Sequence, residues 1–291
     1  MRRAHLVAIL LLSFVSPLSA QDVEPVWLVV ERGERLMEQG EFGLAIQTFR
    51  RALQLGPEDP ESLLGLGRAY KAIGDFAVAE DYFQRALDAR DGFLVPDRAF
   101  RVRYERADIY RTRRDFARYE SELYLIVAED PIPEDAVVPS SVHRSLSERG
   151  IDRFLVLYRL SESAATDAYG MLGELLVGLG RYDDAADHAG TAVLQAFTTL
   201  INAVLERDPT YEFDSVAGLW ERLSTHESAR AYLSESSLYH DLYYLGAAFW
   251  GERDRRAFDV WRLLADLDAG GPWGSRAARQ LADPRPEPLL V

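Results

Sequence analysis

Between Asp97 and Arg118 the chain carries eight arginines against Asp97, Glu105, Asp108 and Asp115, a local +4 in a protein of formal net charge −14. A guanidinium donates two parallel bonds to a carboxylate from a planar fork, so the chemistry on offer is capture of an anionic group. Arg101, Tyr104, Asp108 and Arg111 are spaced three, four and three residues apart, which puts them on one helical face. Arg68 and Lys71, the only lysine, are spaced to join that face from a neighbouring helix. A second cluster is aromatic and runs from Tyr239 to Trp273. Within it Tyr243 and Trp250, seven residues apart, share a face that could stack on sugar rings or an apolar segment.

Catalytic chemistry is harder to find. Beyond the first twenty residues the histidines are His143, His188, His226 and His240. None forms a His-Glu-x-x-His motif, and no two lie at metal-binding spacing. Glycine-rich phosphate loops, nucleophile elbows and calcium loops are absent from the sequence. Without cysteine there are no disulfides, thiolate ligands or cysteine nucleophiles. The expectation is a non-enzymatic chain with no catalytic residues, metal or cofactor. A hydrophobic share of 48% with 27% charged residues describes a folded chain, not a disordered one. Its acidity opposes general nucleic-acid binding, which needs cations to displace phosphate counterions.

The first twenty residues read differently from the rest. Met1-Arg2-Arg3 is followed by an apolar run, Leu6–Val15, and then by Ser16-Pro17-Leu18-Ser19-Ala20. That is the order of a secretory signal peptide, with cleavage expected after Ala20 and a periplasmic or secreted mature chain. No later stretch reads as apolar enough to span a membrane, so no integral membrane segment is expected once the signal is removed.

The elements that must position the candidate residues show as a repeat of thirty-four. Gly33 aligns with Gly67, Leu36 with Tyr70, Gly40 with Gly74, and Phe42 with Phe76. Ala45 aligns with Ala79, Phe49 with Phe83, and Ala52 with Ala86. Each copy reads as two amphipathic helices, in the second copy Pro60–Ile73 and Asp75–Ala89, joined at Gly74-Asp75. Glycine permits the left-handed C-cap and aspartate can cap the next helix. Small residues mark close helix approach, and aromatics fill the space around them. One such pair cannot bury both apolar faces, so neighbours must stack.

These columns resemble the tetratricopeptide-repeat family. The resemblance implies an all-α, right-handed solenoid of helix-turn-helix repeats, here with extra inserted helices. Weaker copies follow: degenerate ones at 100–133 and 239–271, and a good one at 166–199, where Gly173, Gly180, Ala185 and Ala192 restore the pattern. A capping helix is expected over Ser275–Leu281. The organisation expected is a signal peptide at 1–20, N-terminal repeats at 21–133, and a linker with an extra helix, Ser141–Leu160, at 134–165. C-terminal repeats with a helical insertion occupy 166–282, and a disordered proline-rich tail 283–291.

In the resembled family a groove lined by the first helix of each repeat holds an extended peptide or partner helix. Arg68, Lys71, Arg101, Tyr104 and Arg111 are the expected partner-binding residues, with Tyr243 and Trp250 as a secondary candidate. The resemblance also raises a carboxylate clamp for a partner's C-terminus, although Glu34 and Arg68 stand where that clamp has asparagines. The function expected is a cell-envelope scaffold that captures a protein or peptide with an acidic or C-terminal carboxylate group. The alternative is a glycan- or small-ligand-binding helical protein that uses the C-terminal aromatics.

Overall fold

A computed structural model describes residues 24–223 and 227–289. The expected signal peptide, its cleavage point and His226 lie outside the described residues. Among the described residues there are fifteen α-helices and no strand. Four hairpins carry the regular stack: α1 (Val26–Glu38) with α2 (Phe42–Leu55), α3 (Pro60–Ala72) with α4 (Phe76–Asp88), α5 (Arg98–Thr112) with α6 (Phe116–Glu129), and α9 (Thr166–Gly178) with α10 (Tyr182–Leu205). A fifth pairs α13 (Leu238–Gly251) with α14 (Arg256–Leu267), and α15 (Pro272–Ala282) closes the end. The closing helix begins three residues before the expected Ser275, because Pro272 takes its first turn.

Each hairpin turn uses one left-handed residue. Glycine fills the place at Gly40, Gly74 and Gly180, while Arg114 and Arg253 hold φ of 57° and 64°. The shared backbone conformation identifies the degenerate copies even where glycine is lost. Asp75 and Asp115 then cap α4 and α6 by accepting from Val78 N and Arg118 N. Close approach explains the other small-residue column: a Cβ on Gly67 would collide with the Phe83 ring, and one on Gly246 with Trp261. Phe49, Phe83 and Trp261 are fully buried between neighbouring hairpins, as is Tyr119 in the column where alanine is usual.

The two inserts do not interrupt the stack. Helix α6 packs directly on α9, and α10 directly on α13. The single helix expected over 141–160 is two, α7 (Val142–Arg149) and α8 (Ile151–Leu157), broken at Gly150 with φ 75°. Asp187 of α10 pins this pair by accepting from Ser141 Oγ at 3.2 Å and His143 N at 2.7 Å. The second insert holds α11 (Val216–Leu223) and α12 (Glu227–Glu235), which also pack on α10. Residues 134–165 are thus a docked element and not a free linker.

Two expectations need correction. Helix α10 runs past the expected repeat end at Thr199 to Leu205, and it is long and apolar enough, by length and composition, to cross a membrane. Its apolar window is 72% buried within the fold, because hairpin partners and both inserts cover it. Second, the described part of the tail, 283–289, is extended but not disordered. Arg285 N donates to Gln280 Oε1 at 2.7 Å, and Arg276 pairs with Glu287.

Candidate binding groove

Helices α1, α3, α5, α9 and α13, the first of each hairpin, and the closing α15 form the candidate groove face: α1 touches α3, α3 touches α5, and α13 touches both α9 and α15. Proline or a capping aspartate starts the best-formed of them: Asp59 accepts from Ser62 N while Pro60 occupies the first turn of α3. Arg68 and Lys71 therefore sit two turns in, side by side on the groove face. They are already paired. Arg68 Nη1 reaches Glu34 at 2.6 Å and its Nε reaches Glu105 at 3.4 Å. Lys71 Nζ reaches Glu105 at 2.5 Å and Asp108 at 2.6 Å. Burial alone would lower the lysine pKa, but the hydrogen bonds it donates to Asp108 and Glu105 outweigh that and raise it.

This corrects the expected anion-receptive cleft. The network joins α1, α3 and α5, and its three acids outnumber its two bases. Most arginines of the basic window are paired as well. Arg98 pairs with Glu61, Arg103 with Glu122 and Glu129, Arg106 with Glu122, and Arg113 and Arg118 with Glu80. Apart from Asp115 beside Arg118, these acids lie outside the 97–118 window that made the arginines look unbalanced.

Of the remaining expected groove residues, Arg101 is exposed and Arg111 lies 4.0 Å from Glu174 of α9. Tyr104 is a brace and not an open apolar platform. Its hydroxyl donates to Ala164 O at 2.8 Å and accepts from Ala168 N at 3.0 Å, joining α5 to the start of α9. Burial raises its pKa.

At the C-terminal end the groove deepens into a cavity of about 600 Å³ between α9, α12, α13 and α15. His240 stands at its centre. Its Nδ1 lies 2.8 Å from Asp241 and its Nε2 3.4 Å from Glu174, which also accepts from the Tyr244 hydroxyl at 2.9 Å. The ring meets Trp273 edge-on at 5.3 Å. Burial alone would lower the His240 pKa; the Asp241 and Glu174 hydrogen bonds prevail and hold it at about 9. An imidazole held between two carboxyl groups makes this cavity a polar recess.

Beside it, Tyr243 is buried and its hydroxyl donates to Glu287 of the tail. Tyr243 thus offers no open stacking platform for a sugar, and Trp250 is half-buried. Gln280 Nε2 lies 2.7 Å from the Glu287 carboxylate, and Arg276 pairs with its other oxygen. Burial raises the Tyr243 pKa, and the Glu287 carboxylate adds to this, to about 12.

A different cluster arises on the opposite side, where α7, α10 and the α13–α14 turn meet. One ligand atom each from His143, Asp183 and Glu252 lies within 4.8 Å of the others. An imidazole and two carboxylates suit a divalent cation by donor type, yet His143 Nε2 is hydrogen-bonded to Glu252. Burial, with Asp183, Asp254 and Asp187 nearby, pushes Glu252 up to about 8. Local sequence spacing could not reveal a cluster assembled from three separate elements.

Sequence reasoning missed Glu174, His240, Arg276, Gln280 and Glu287. The first two had a readable signal: they continue the groove columns of Arg68 and Arg101 into the later repeats. The tail's part had none.

Comparison with known proteins fits this architecture. A tetratricopeptide-repeat family model matches residues 30–92 and 64–132. Residues 30–132 are thus similar to tetratricopeptide repeats. An uncharacterized protein of Treponema pallidum is 25% identical over 229 residues, covering 77% of this chain and 61% of the relative. The tetratricopeptide repeat and J domain-containing co-chaperone DNJ1 of Cryptococcus neoformans var. grubii is 27% identical over 109 residues, covering 37% of this chain and 20% of its own. The chain thus spans less than two thirds of the length of either relative. Among solved structures, nearly identical TPR-like repeats assigned to a Podosopora anserina kinesin light chain align with a TM-score of 0.48 at 15% identity, covering 85% of this chain and 98% of that one.

Proposed function

We propose that the protein is a non-catalytic interaction scaffold of the cell envelope that captures an extended partner segment in its groove. Tetratricopeptide repeats are protein-interaction modules. The observation that carries the more specific reading is the tail itself: the groove face of α15 and α13 already holds an extended strand of chain through side-chain hydrogen bonds. A surface shaped for one extended segment suits another. The paired Glu34–Arg68–Glu105–Lys71 network argues for a partner of mixed polarity at the N-terminal end, in place of a purely acidic one. The envelope assignment rests on the signal-like order of residues 1–20.

Site-specific photo-crosslinking in the native host tests this reading. A photoreactive residue replacing Trp27, Arg101 or Arg111 on the groove side should trap one defined protein. The same residue replacing Gln84 or Ser121 on the second helices should not. Equal trapping from both sets, or none from the groove set, overturns groove capture. N-terminal sequencing of the envelope fraction checks the location: a mature chain beginning at Gln21 is expected, and a cytoplasmic chain that retains residues 1–20 refutes it.

A further inference from the structure

The tail crosses the groove as a ligand would. Gln280 grips its backbone at Arg285, with Oε1 accepting from the N–H at 2.7 Å and Nε2 3.1 Å from the carbonyl. That is the pairing a neighbouring strand would offer, and it reads extended shape independently of side chain. Two residues on, the Glu287 side chain is only 7% exposed. One carboxylate oxygen accepts from the Tyr243 hydroxyl and from Gln280 Nε2, and the other pairs with Arg276. Arg276 is held in place over the Tyr243 ring, 4.3 Å from its centroid. Farther along, the Leu289 backbone presses on Gly178 of α9, where a Cβ would come within 2.8 Å of Leu289 Cα.

Three features point to a binding contact in place of a folding one. Helix α15 already covers α14, and the tail adds the partly buried Leu289 to a core that the helices have built. A buried glutamate is expensive unless it is paired and hydrogen-bonded, and here both oxygens are satisfied. Pro286 and Pro288 fix φ on either side of it, so little freedom is lost on docking.

We infer that this end of the groove is a receptor for extended segments bearing a proline-flanked glutamate. The chain's own tail is its resident ligand in cis, and a partner segment of the same chemistry displaces it. The inference rests on the groove-capture reading above and deepens it. Tethering through a few residues gives the tail a millimolar-range effective concentration (~mM), so a partner competes only if it adds contacts elsewhere in the groove. The Arg111–His240 recess next door is where such contacts are available.

The test uses the full chain and a fluorescein-labelled heptapeptide with the sequence of residues 283–289. Glu287→Lys expels the tail by repulsion from Arg276 while leaving the receptor side chains intact. By fluorescence anisotropy, this variant should bind the peptide about tenfold or more tighter than the wild-type chain does. Adding Arg276→Gln should abolish the binding without re-pairing the introduced lysine, and a peptide with glutamine in place of its glutamate should bind about tenfold more weakly. Equal binding to wild type and Glu287→Lys, with unchanged circular dichroism, overturns the inference. Indifference to the glutamine peptide does so as well. A wild-type dimer that Glu287→Lys dissociates would make the occupant a second copy's tail and overturn docking in cis. Failure of the peptide with groove crosslinks intact removes this inference alone; peptide binding without crosslinks removes the scaffold reading instead.

Discussion

Raising the pH should loosen the C-terminal repeats through His240. In the fold its proton is held by Asp241 and Glu174 against the effect of burial, to a pKa of about 9, while an unfolded imidazole titrates near ~6.5. The folded value is the higher one. The stabilisation is therefore fully present below about pH 6.5 and is lost as the pH climbs through about 9. The gap between the two values sets a ceiling of about 3 kcal/mol. The ring is 21% exposed, so solvent screening brings the expected loss to about 1–3 kcal/mol. Glu252, pushed up to about 8, also loses stabilisation across this window, so the wild-type slope alone is not diagnostic. The discriminating measurement is urea unfolding of the wild type and His240→Gln at about pH 6 and about pH 9.5. The variant starts lower because Asp241 loses its partner. From there its stability should fall by about 1–3 kcal/mol less than that of the wild type. Parallel pH profiles would show that His240 is not held protonated between the two carboxylates.

Further outcomes follow from the packing. Gly67→Ala forces a Cβ into the buried Phe83 ring and should lower stability by about 1–3 kcal/mol despite the helix propensity gained, read from thermal melts. Tyr119→Phe removes a buried hydroxyl with no hydrogen-bond partner and should leave stability unchanged or raise it by about 1 kcal/mol; a marked loss would mean that the hydroxyl is satisfied. Arg103→Met takes away the closer of the two arginines that neutralise Glu122, which is 3% exposed, and should cost about 3 kcal/mol. Adding Glu122→Leu should recover most of that, as a double-mutant cycle would show.

How much of this was legible in the sequence depends on the range of the interaction. The Gly33–Gly67 and Phe49–Phe83 columns encode contacts within a hairpin or between adjacent ones, so the period exposed both the helices and their pairing. Gly74-Asp75 marked a turn because left-handed backbone and capping are one-residue properties. The same reasoning missed Arg114 and Arg253, which adopt that backbone without the expected residue. It read the 141–160 helix as one because the break at Gly150 sits inside a continuous apolar pattern. It stopped α10 short because the repeat period, not the apolar run, set the boundary.

The groove's electrostatics were hidden for a different reason. A charge count over consecutive residues measures neighbours in the chain, whereas Arg68 and Lys71 are neutralised by Glu34, Glu105 and Asp108, on helices one repeat away on either side. In a stack where groove residues recur about every thirty-four positions, the relevant sum runs down columns and not along the chain. Summed that way, the N-terminal groove is balanced to slightly acidic, and the C-terminal recess holds Arg111 and His240 against Glu174, Asp167, Asp241 and Asp268. Beside that recess, Arg276 draws its acid from the tail and not from a neighbouring repeat. Glu287 thus completes for the last groove position what acids of neighbouring repeats supply earlier. That is why a proline-rich segment with no helical pattern is ordered, and why removing its charge should open a site that no other part of the groove presents.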